Sequence, residues 1–271
     1  VLISPYLLFY GRYTRNEALV GLFGALMIYA VLRYLDRGDS ASMILLTAVT
    51  ALHYTSKETS FIYSAQLLLF LAFVFLDKIV RADWKDSGVR NRFIILMAAA
   101  ILLVGVALGI GVLEASSVDI ASAEAEALGP EMANPGLSPQ LTGELSALVL
   151  AILAGGAALF FLIRDLGWEK IRALRSFDLL IVQGSLILPL LAAFPVKLIG
   201  SALGTGWDPI DYSPEGMVPT AIAIILCAAA AAAIGLWWNF RSWLINAAVF
   251  YTIFAIFYTT FFTNGQGFFT G

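Results

Sequence analysis

The chain has little charge and almost no histidine or cysteine. Charged residues make up 13% of its 271 positions, about half of the roughly 25% that is usual for a soluble domain. A single cysteine, Cys227, excludes an intramolecular disulfide, and a single histidine, His53, excludes a multi-histidine metal site within these residues. There is no P-loop, no cysteine-rich metal pattern and nothing that indicates nucleic-acid binding.

Long apolar stretches are present instead. Sixty per cent of the residues are hydrophobic, and the mean hydropathy is +0.87. Runs of about 20 apolar residues match the ~30 Å hydrocarbon core of a bilayer, where the backbone must be helical because no water is available to hydrogen-bond it. We expect an all-α, polytopic membrane helical bundle with about eight transmembrane helices, at residues 17–35, 41–55, 59–76, 93–113, 145–163, 178–199, 219–238 and 242–262.

The positive charges alternate between the segments that separate these runs. Twelve of the 16 Lys and Arg residues lie in four segments, at residues 33–40, 77–92, 164–177 and 239–241. Because Lys and Arg are enriched in cytoplasmic loops, we assign these four segments to the cytoplasmic side. The other four cations, Arg12, Arg15, Lys57 and Lys197, are expected on the external side. The segments 114–144 and 200–218 contain no Lys or Arg, and we expect them to be external loops.

The chain is expected to form one transmembrane domain, residues 1–271, with both ends external. It opens with Val1 and has no basic n-region, so no signal peptide is recognisable. We interpret it as a fragment of a longer multi-pass protein of the cell membrane, plasma or inner. An N-terminal span, the first external loop and a C-terminal part would then lie outside the fragment.

Two arginines lie on the expected external side, against the general charge trend. Arg12 and Arg15 are three residues apart in YGRYTRNEALVGLF, so on a helix they share one face. A bound lipid phosphate would explain them, because guanidinium groups match phosphate oxygens in a bidentate fashion. The alternatives are anchoring to lipid headgroups and pairing of Arg15 with Glu17.

A turn of a few residues after the second apolar run holds two further charges. Lys57 and Glu58 are expected at the membrane surface next to His53, because so short a connection leaves them little room to move. Lys57 suits a lipid phosphate, and Glu58 suits a cation or orients Lys57. The alternatives are a local Lys57–Glu58 ion pair, which is weak at a surface, and a structural, hydrogen-bonded His53.

Carboxylates and aromatic residues lie close together in the segment 200–218. Asp208 and Asp211 are near Trp207 and Tyr212, a composition that suits sugar recognition or a divalent cation. The indication is weak because no EF-hand spacing is present, and a solvated loop is the simpler interpretation. The sequence leaves a divalent cation open as a cofactor and makes none certain.

Three stretches resemble one family of membrane enzymes. SPYLLFYGRYTRNEALVGLF is similar to the segment after the first external loop of GT-C membrane glycosyltransferases of the protein-mannosyltransferase type, and HYTSKETSFIY is similar to their short span pair. The closing YTTFFTNGQGFFTG resembles a bacterial and archaeal subgroup named for association with flippase activity. The resemblance covers the chain loosely, and these short stretches are its specific part.

The resemblance implies a GT-C-like fold and an inverting sugar transfer from a polyprenyl phosphate at an outward-facing site. The partners implied are this lipid-linked sugar and membrane lipid. The family's general base is an acidic residue of the first external loop, which we expect to precede Val1. Fixed cations would then stabilise the charge that develops on the leaving phosphate.

Six residues of this chain are candidates for the site, and the resemblance assigns roles to all of them except His53. The expected phosphate-binding residues are Arg12, Arg15 and Lys57. The residues expected to orient them, or to lie beside a metal, are Glu17, Glu58 and His53.

A transporter or flippase component that binds or moves a lipid-linked sugar without bond chemistry is the alternative. Such proteins usually bury ionisable groups near the middle of the membrane, at broken helices. The expected spans hold almost none, with His53 near an outer end and Asp178 near an inner end. Pro189 and Pro195 are able to break the sixth span, so this alternative stays open beside a purely structural membrane subunit.

Overall fold

The structure is a computed structural model that describes residues 17–128, 139–203, 205, 207, 209 and 213–259. Every regular element within these residues is helical, which confirms the all-α prediction for this part of the chain. In order, the elements are α1 (Glu17–Arg37), α2 (Ser40–Tyr54), α3 (Ser60–Val80), α4 (Ser87–Leu128), α5 (Pro139–Leu166), α6 (Trp168–Arg172), α7 (Arg175–Ile187), a 3-10 helix (Leu188–Leu191), α8 (Ala193–Leu203) and α9 (Pro214–Tyr258).

Several helices are suited to a bilayer. Among the described residues, five are long and apolar enough to cross a membrane, at Ala18–Arg37, Ser60–Val80, Ser87–Ala107, Ser146–Leu166 and Gly216–Tyr258. A sixth is present if Arg175–Leu191 and Ala193–Gly200 form one broken span. Large apolar side chains on the long helices are exposed, such as Ile28, Ile95 and Ile152 at 62, 66 and 72%. Such a surface suits hydrocarbon better than water, as expected of a multi-pass membrane protein.

The last two predicted spans lie within one long helical element. Gly216–Tyr258 has 43 residues, about twice the 20 or so that a span requires. Asn239 interrupts this element with a non-helical backbone (φ −160°, ψ 100°). Its side-chain oxygen accepts a hydrogen bond of 3.0 Å from the N–H of Ser242, as an N-cap does at the start of a helix. The break therefore separates the predicted spans 219–238 and 242–262.

Three other expectations differ from the structure. The predicted second span, 41–55, forms α2, whose 15 residues are fewer than the 20 or so that a span requires. The segment 114–144 was expected to be a loop, but α4 continues to Leu128, because its residues beyond 113 are rich in alanine and glutamate, which favour helix. The sixth span is divided into α7, the 3-10 helix and α8. The 3-10 helix contains Pro189, which has no N–H to donate and interrupts an α-helix.

The chain divides into two compact units. The first contains α1, α2, α3 as far as Asp77, the segment Arg172–Leu190, and α9 from Ile225 onward. The second contains the described residues of Lys78–Ile171 and Leu191–Ile224.

Within the first unit, α1 packs against α2 and also contacts α7. The packed side chains are mainly apolar, and the fully buried ones include Val31, Leu46, Leu179 and Phe250. Eight polar residues of α2, α7 and α9 are buried among them: Ser42, Thr47, Thr50, His53, Ser176, Gln183, Ser185 and Asn246.

Within the second unit, α4 packs along α5. The backbone N–H of Lys85 donates to the carboxylate of Asp165 at 2.8 Å, and the Trp84 indole donates to the carbonyl of Ile79 at 2.8 Å. The segments 77–92 and 164–177 therefore meet at one end of this unit. Their charge pattern predicts that they share one side of the membrane.

Candidate functional site

Several of the predicted site residues are not covered by the structure. Arg12, Arg15, Asp208 and Asp211 lie outside the described residues. Glu17 is the first residue of α1, and its side chain also lies outside the described part of the chain. The roles assigned to these five residues therefore stay predictions.

The predicted external turn is tightly built, and we call residues 55–59 the Lys57 turn. It joins the end of α2 to the start of α3. The N–H of Ser56 donates to the carbonyl of His53 at 3.0 Å, and the N–H of Ser60 donates to the carbonyl of Lys57 at 3.1 Å. Lys57 is half-buried and Glu58 is exposed. The backbone positions of both charged residues are thus fixed where one apolar helix ends and the next begins.

His53 lies inside the first unit below the Lys57 turn. Its ring is 1% exposed, with its centroid 4.7 Å from that of Tyr63 and its Nδ1 atom 3.4 Å from the sulfur of Met27. The Nε2 atom has no hydrogen-bond partner in the structure. Aromatic and thioether groups therefore enclose the ring, and the role of His53 beside Lys57 stays a prediction. Among the described residues, no group of three or more His, Cys, Asp or Glu side chains is arranged to hold a metal ion.

Aromatic rings form a layer at this end of the first unit. The Tyr54 and Phe61 rings meet edge to face at 4.9 Å, and Phe254 stacks on Tyr258 at 4.1 Å. The Tyr258 hydroxyl donates to the carbonyl of Tyr54 at 3.0 Å, so the end of α9 is tied to the end of α2. Tyrosines of this kind are enriched at membrane–water interfaces, which agrees with the predicted position of the Lys57 turn at the membrane surface.

A row of buried polar side chains runs through the first unit. The Thr47 hydroxyl donates to the side-chain oxygen of Asn246 at 2.7 Å, and the Thr50 hydroxyl lies 3.2 Å from the side-chain oxygen of Gln183. Thr47 and Thr50 are three residues apart on α2, so they share one face. The Nε2 atom of Gln183 is buried without a hydrogen-bond partner. We call these four residues the polar row.

The polar row predicts a measurable coupling between α2 and α9. In a double-mutant cycle of Thr47→Val and Asn246→Leu, we expect a coupling free energy of about 0.6 kcal/mol, the average for hydrogen bonds between membrane helices. Reversible unfolding in mixed detergent micelles measures it. Thr47→Val combined with Thr220→Val is the control and should be additive, because Thr220 bonds to its own helix at Gly216. Additivity in both cycles would contradict the assigned Thr47–Asn246 bond.

A polar cavity of about 300 Å³ lies at the other end of the polar row, and we call it the Asp178 cavity. The carboxylate of Asp178 accepts a hydrogen bond of 2.9 Å from the Tyr34 hydroxyl and another of 2.9 Å from the Trp238 indole. Arg172 donates to the carbonyl of Trp238, next to the break in α9. The lining residues are Tyr34, Gly38, Ser40, Met43, Arg172, Asp178, Trp238, Asn239 and Ser242.

The wall of this cavity is held by the connection from α1 to α2. Gly38 has a positive φ of 70° and donates its N–H to the carbonyl of Tyr34 at 2.8 Å, a typical glycine C-cap. Arg175 donates to the carbonyl of Leu35 at 2.8 Å, which satisfies another free group at the end of α1.

The next helix begins with a charged N-cap. Asp39 accepts hydrogen bonds from the Ser42 hydroxyl at 2.8 Å and from the Ser42 N–H at 2.7 Å. These two bonds, followed by the charge of Arg33, hold the pKa of the Asp39 carboxyl below its usual value. The Arg33–Asp39 ion pair has an N–O distance of 3.4 Å. The connection is therefore anchored at the ends of both helices.

The contacts at the two ends of the first unit agree with the charge alternation. Segments 33–40 and 164–177, and the segment around Asn239, supply residues of the Asp178 cavity. All three are predicted to be cytoplasmic. The opposite end, where Tyr258 bonds to Tyr54, carries the Lys57 turn. The identity of the cytoplasmic side stays a prediction.

The sequence did not predict the Asp178 cavity. Its only local signal is a lone aspartate near the start of an apolar run. The two donors to Asp178 are 144 and 60 residues away in the chain, so only the tertiary structure brings them together. Comparison with family models, with curated proteins and with solved structures finds no match for this chain.

Proposed function

We propose that this chain is part of a membrane glycosyltransferase that takes a sugar from a polyprenyl-phosphate donor and transfers it to an acceptor at the external face. The observation that carries the proposal is the Lys57 turn, whose backbone is fixed between the end of α2 and the start of α3. A lysine ammonium held at headgroup depth is suited to a lipid phosphate, because it matches the phosphate as a point charge. The resemblance of HYTSKETSFIY to the GT-C span pair supports the same role.

The surroundings of the turn support a lipid ligand in particular. The Tyr54 and Phe61 rings lie directly below it, and Ile62 on the first turn of α3 is 59% exposed. A polyprenyl chain would contact this apolar surface while its phosphate stays at the polar level of Lys57. Glu58, exposed beside it, is suited to orient the ammonium or an acceptor hydroxyl.

Photolabelling tests this binding mode directly. The probe is a polyprenyl phosphate with a photoreactive group next to the phosphate, added to the intact protein in lipid nanodiscs. Peptide mass spectrometry should place the label within residues 54–63. Unlabelled polyprenyl phosphate should compete, whereas the uncharged polyprenol should not, since the phosphate supplies the contact to Lys57. Labelling confined to other segments, or equal competition by both lipids, would overturn the proposal.

A second candidate is a flippase-type component that binds a lipid-linked sugar without bond chemistry. The polar row favours it, since Gln183 keeps an unpaired Nε2 atom within an apolar bundle. Groups of this kind are costly in a membrane and often mark a transport path. Gln183→Leu should then abolish lipid translocation in proteoliposomes, whereas the transferase proposal expects sugar transfer to persist in this variant.

A further inference from the structure

We propose that the Asp178 cavity binds a small zwitterion that carries a primary ammonium and a phosphate, the chemistry of a phosphoethanolamine headgroup. The cavity lies at the end of the first unit opposite the Lys57 turn. The inference is therefore independent of the sugar transfer proposed above.

Asp178 supplies the part of the site that is suited to the ammonium. One carboxylate oxygen accepts from Tyr34 and the other accepts from Trp238. An ionised carboxylate offers about four acceptor positions, so two remain for a ligand. Tyr34 and Trp238 are buried and fix the carboxylate from two different helices.

Arg172 and two hydroxyl groups supply the part that is suited to the phosphate. The guanidinium donates one hydrogen bond to the carbonyl of Trp238, and a guanidinium has five N–H donors. Ser40 and Ser242 line the same cavity, each within the first turn of a helix, where the dipole favours an anion. Arg172 and Ser40 offer donors to phosphate oxygens. The Ser242 hydroxyl now lies 3.6 Å from the Met43 sulfur and would add a donor by turning from that weak contact.

The two charges of the cavity together determine the class of ligand. The charge of Arg172 acts on the Asp178 carboxylate, but these two described residues form no direct ion pair, so both keep capacity for a ligand. A simple anion would be placed beside Asp178, and a simple cation would be placed beside Arg172, each at an electrostatic cost. A zwitterion satisfies both residues at once.

The size and position of the cavity limit the ligand further. A volume of about 300 Å³ is at the lower limit of small-molecule sites, so it accommodates a headgroup and excludes acyl chains. The Ala18–Arg37 span ends beside it, which places the cavity at headgroup depth. The two sources of this chemistry are the ethanolamine phospholipid of the adjacent leaflet and free phosphoethanolamine.

Binding measurements on the intact protein in detergent micelles test the proposal. The probes are short-chain phosphatidylethanolamine, short-chain phosphatidylglycerol, which lacks the ammonium, and soluble phosphoethanolamine. Native mass spectrometry gives the dissociation constants. We expect phosphatidylethanolamine to bind at least about tenfold more tightly than phosphatidylglycerol, because a hydrogen bond to a charged group is lost in the second lipid. Comparable binding of soluble phosphoethanolamine would identify the free zwitterion as a ligand, whereas binding of the lipid alone would identify the membrane headgroup.

Two variants and one control locate the site. Asp178→Asn and Arg172→Gln should each weaken phosphatidylethanolamine binding about tenfold or more. Arg241→Gln should leave it unchanged, because Arg241 is exposed nearby but does not line the cavity. Arg172 is an exposed residue, so its variant gives a result even if Asp178→Asn does not fold. Equal binding of the two lipids, or unchanged binding in Arg172→Gln, would overturn the proposal.

Discussion

Replacing Lys57 by alanine should lower sugar transfer by the intact protein by about tenfold or more, with normal insertion into the membrane. Charge develops on the phosphate as the sugar leaves, and removing one fixed group that stabilises such charge costs a large factor in rate. The hydrogen bonds at Ser56 and Ser60 fix the backbone from which the Lys57 side chain extends. The loss should appear mainly in kcat, since this contact strengthens in the transition state. Initial rates with a polyprenyl-phosphate sugar in nanodiscs measure it.

Lys197 provides the matched control for this variant. It is also predicted to be an external cation, and it is exposed on α8 in the second unit. The Lys197→Ala variant should therefore transfer sugar at the normal rate. The Lys57→Arg variant should retain part of the transfer activity, because the positive charge is kept. Unchanged turnover in Lys57→Ala, or an equal loss in Lys197→Ala, would contradict the role of Lys57.

Replacing Gly235 by leucine should lower the unfolding free energy by about 3 kcal/mol, the upper part of the range for overpacked interiors. The indole of Trp243 lies against Gly235 across the break in α9, and any side chain at position 235 would overlap that ring. The indole has little freedom to move away, because its N–H donates to the Ser185 hydroxyl at 3.0 Å. Unfolding in mixed detergent micelles, followed by circular dichroism, measures the change.

Gly21 offers the same substitution without the clash. No heavy atom lies within 4 Å of a Cβ added at Gly21, and this residue is exposed. Gly21→Leu should therefore not lower the unfolding free energy, since leucine forms helix better than glycine does. Trp243→Ala should be less destabilising in the Gly235→Leu background than alone, because the smaller residue makes room for leucine. Equal losses in the two leucine variants, or strict additivity with Trp243→Ala, would contradict the close approach at Gly235.

Much of the fold was predictable because apolar length and charge position act locally along the chain. The run 17–35 corresponds to α1, and the run 59–76 corresponds to α3. The prediction departs from the structure where residues favour a helix without being apolar. Alanine and glutamate extend α4 beyond its apolar part to Leu128, and hydropathy alone does not register this extension. The position of Arg241 correctly predicted the break near Asn239, since a positive charge is unfavourable inside a span.

The candidate site was less predictable than the fold. The short Lys57 turn followed from sequence because both of its helices are neighbours in the chain. The buried position of His53 did not follow, because it depends on Met27 and Tyr63, which lie on two other helices. The Asp178 cavity depends on contacts across 144 residues. Periodicity and charge patterns report on single helices, so they miss sites that several helices build together.

Product analysis in sealed proteoliposomes distinguishes sugar transfer from transport of the lipid-linked sugar. The intact protein would be supplied with a polyprenyl-phosphate sugar labelled in the sugar and with an acceptor outside the vesicles. The account predicts a new glycosidic product outside, formed together with free polyprenyl phosphate in equal amounts and lost in Lys57→Ala. Movement of the intact lipid-linked sugar between leaflets, without any glycosidic product, would contradict the claim.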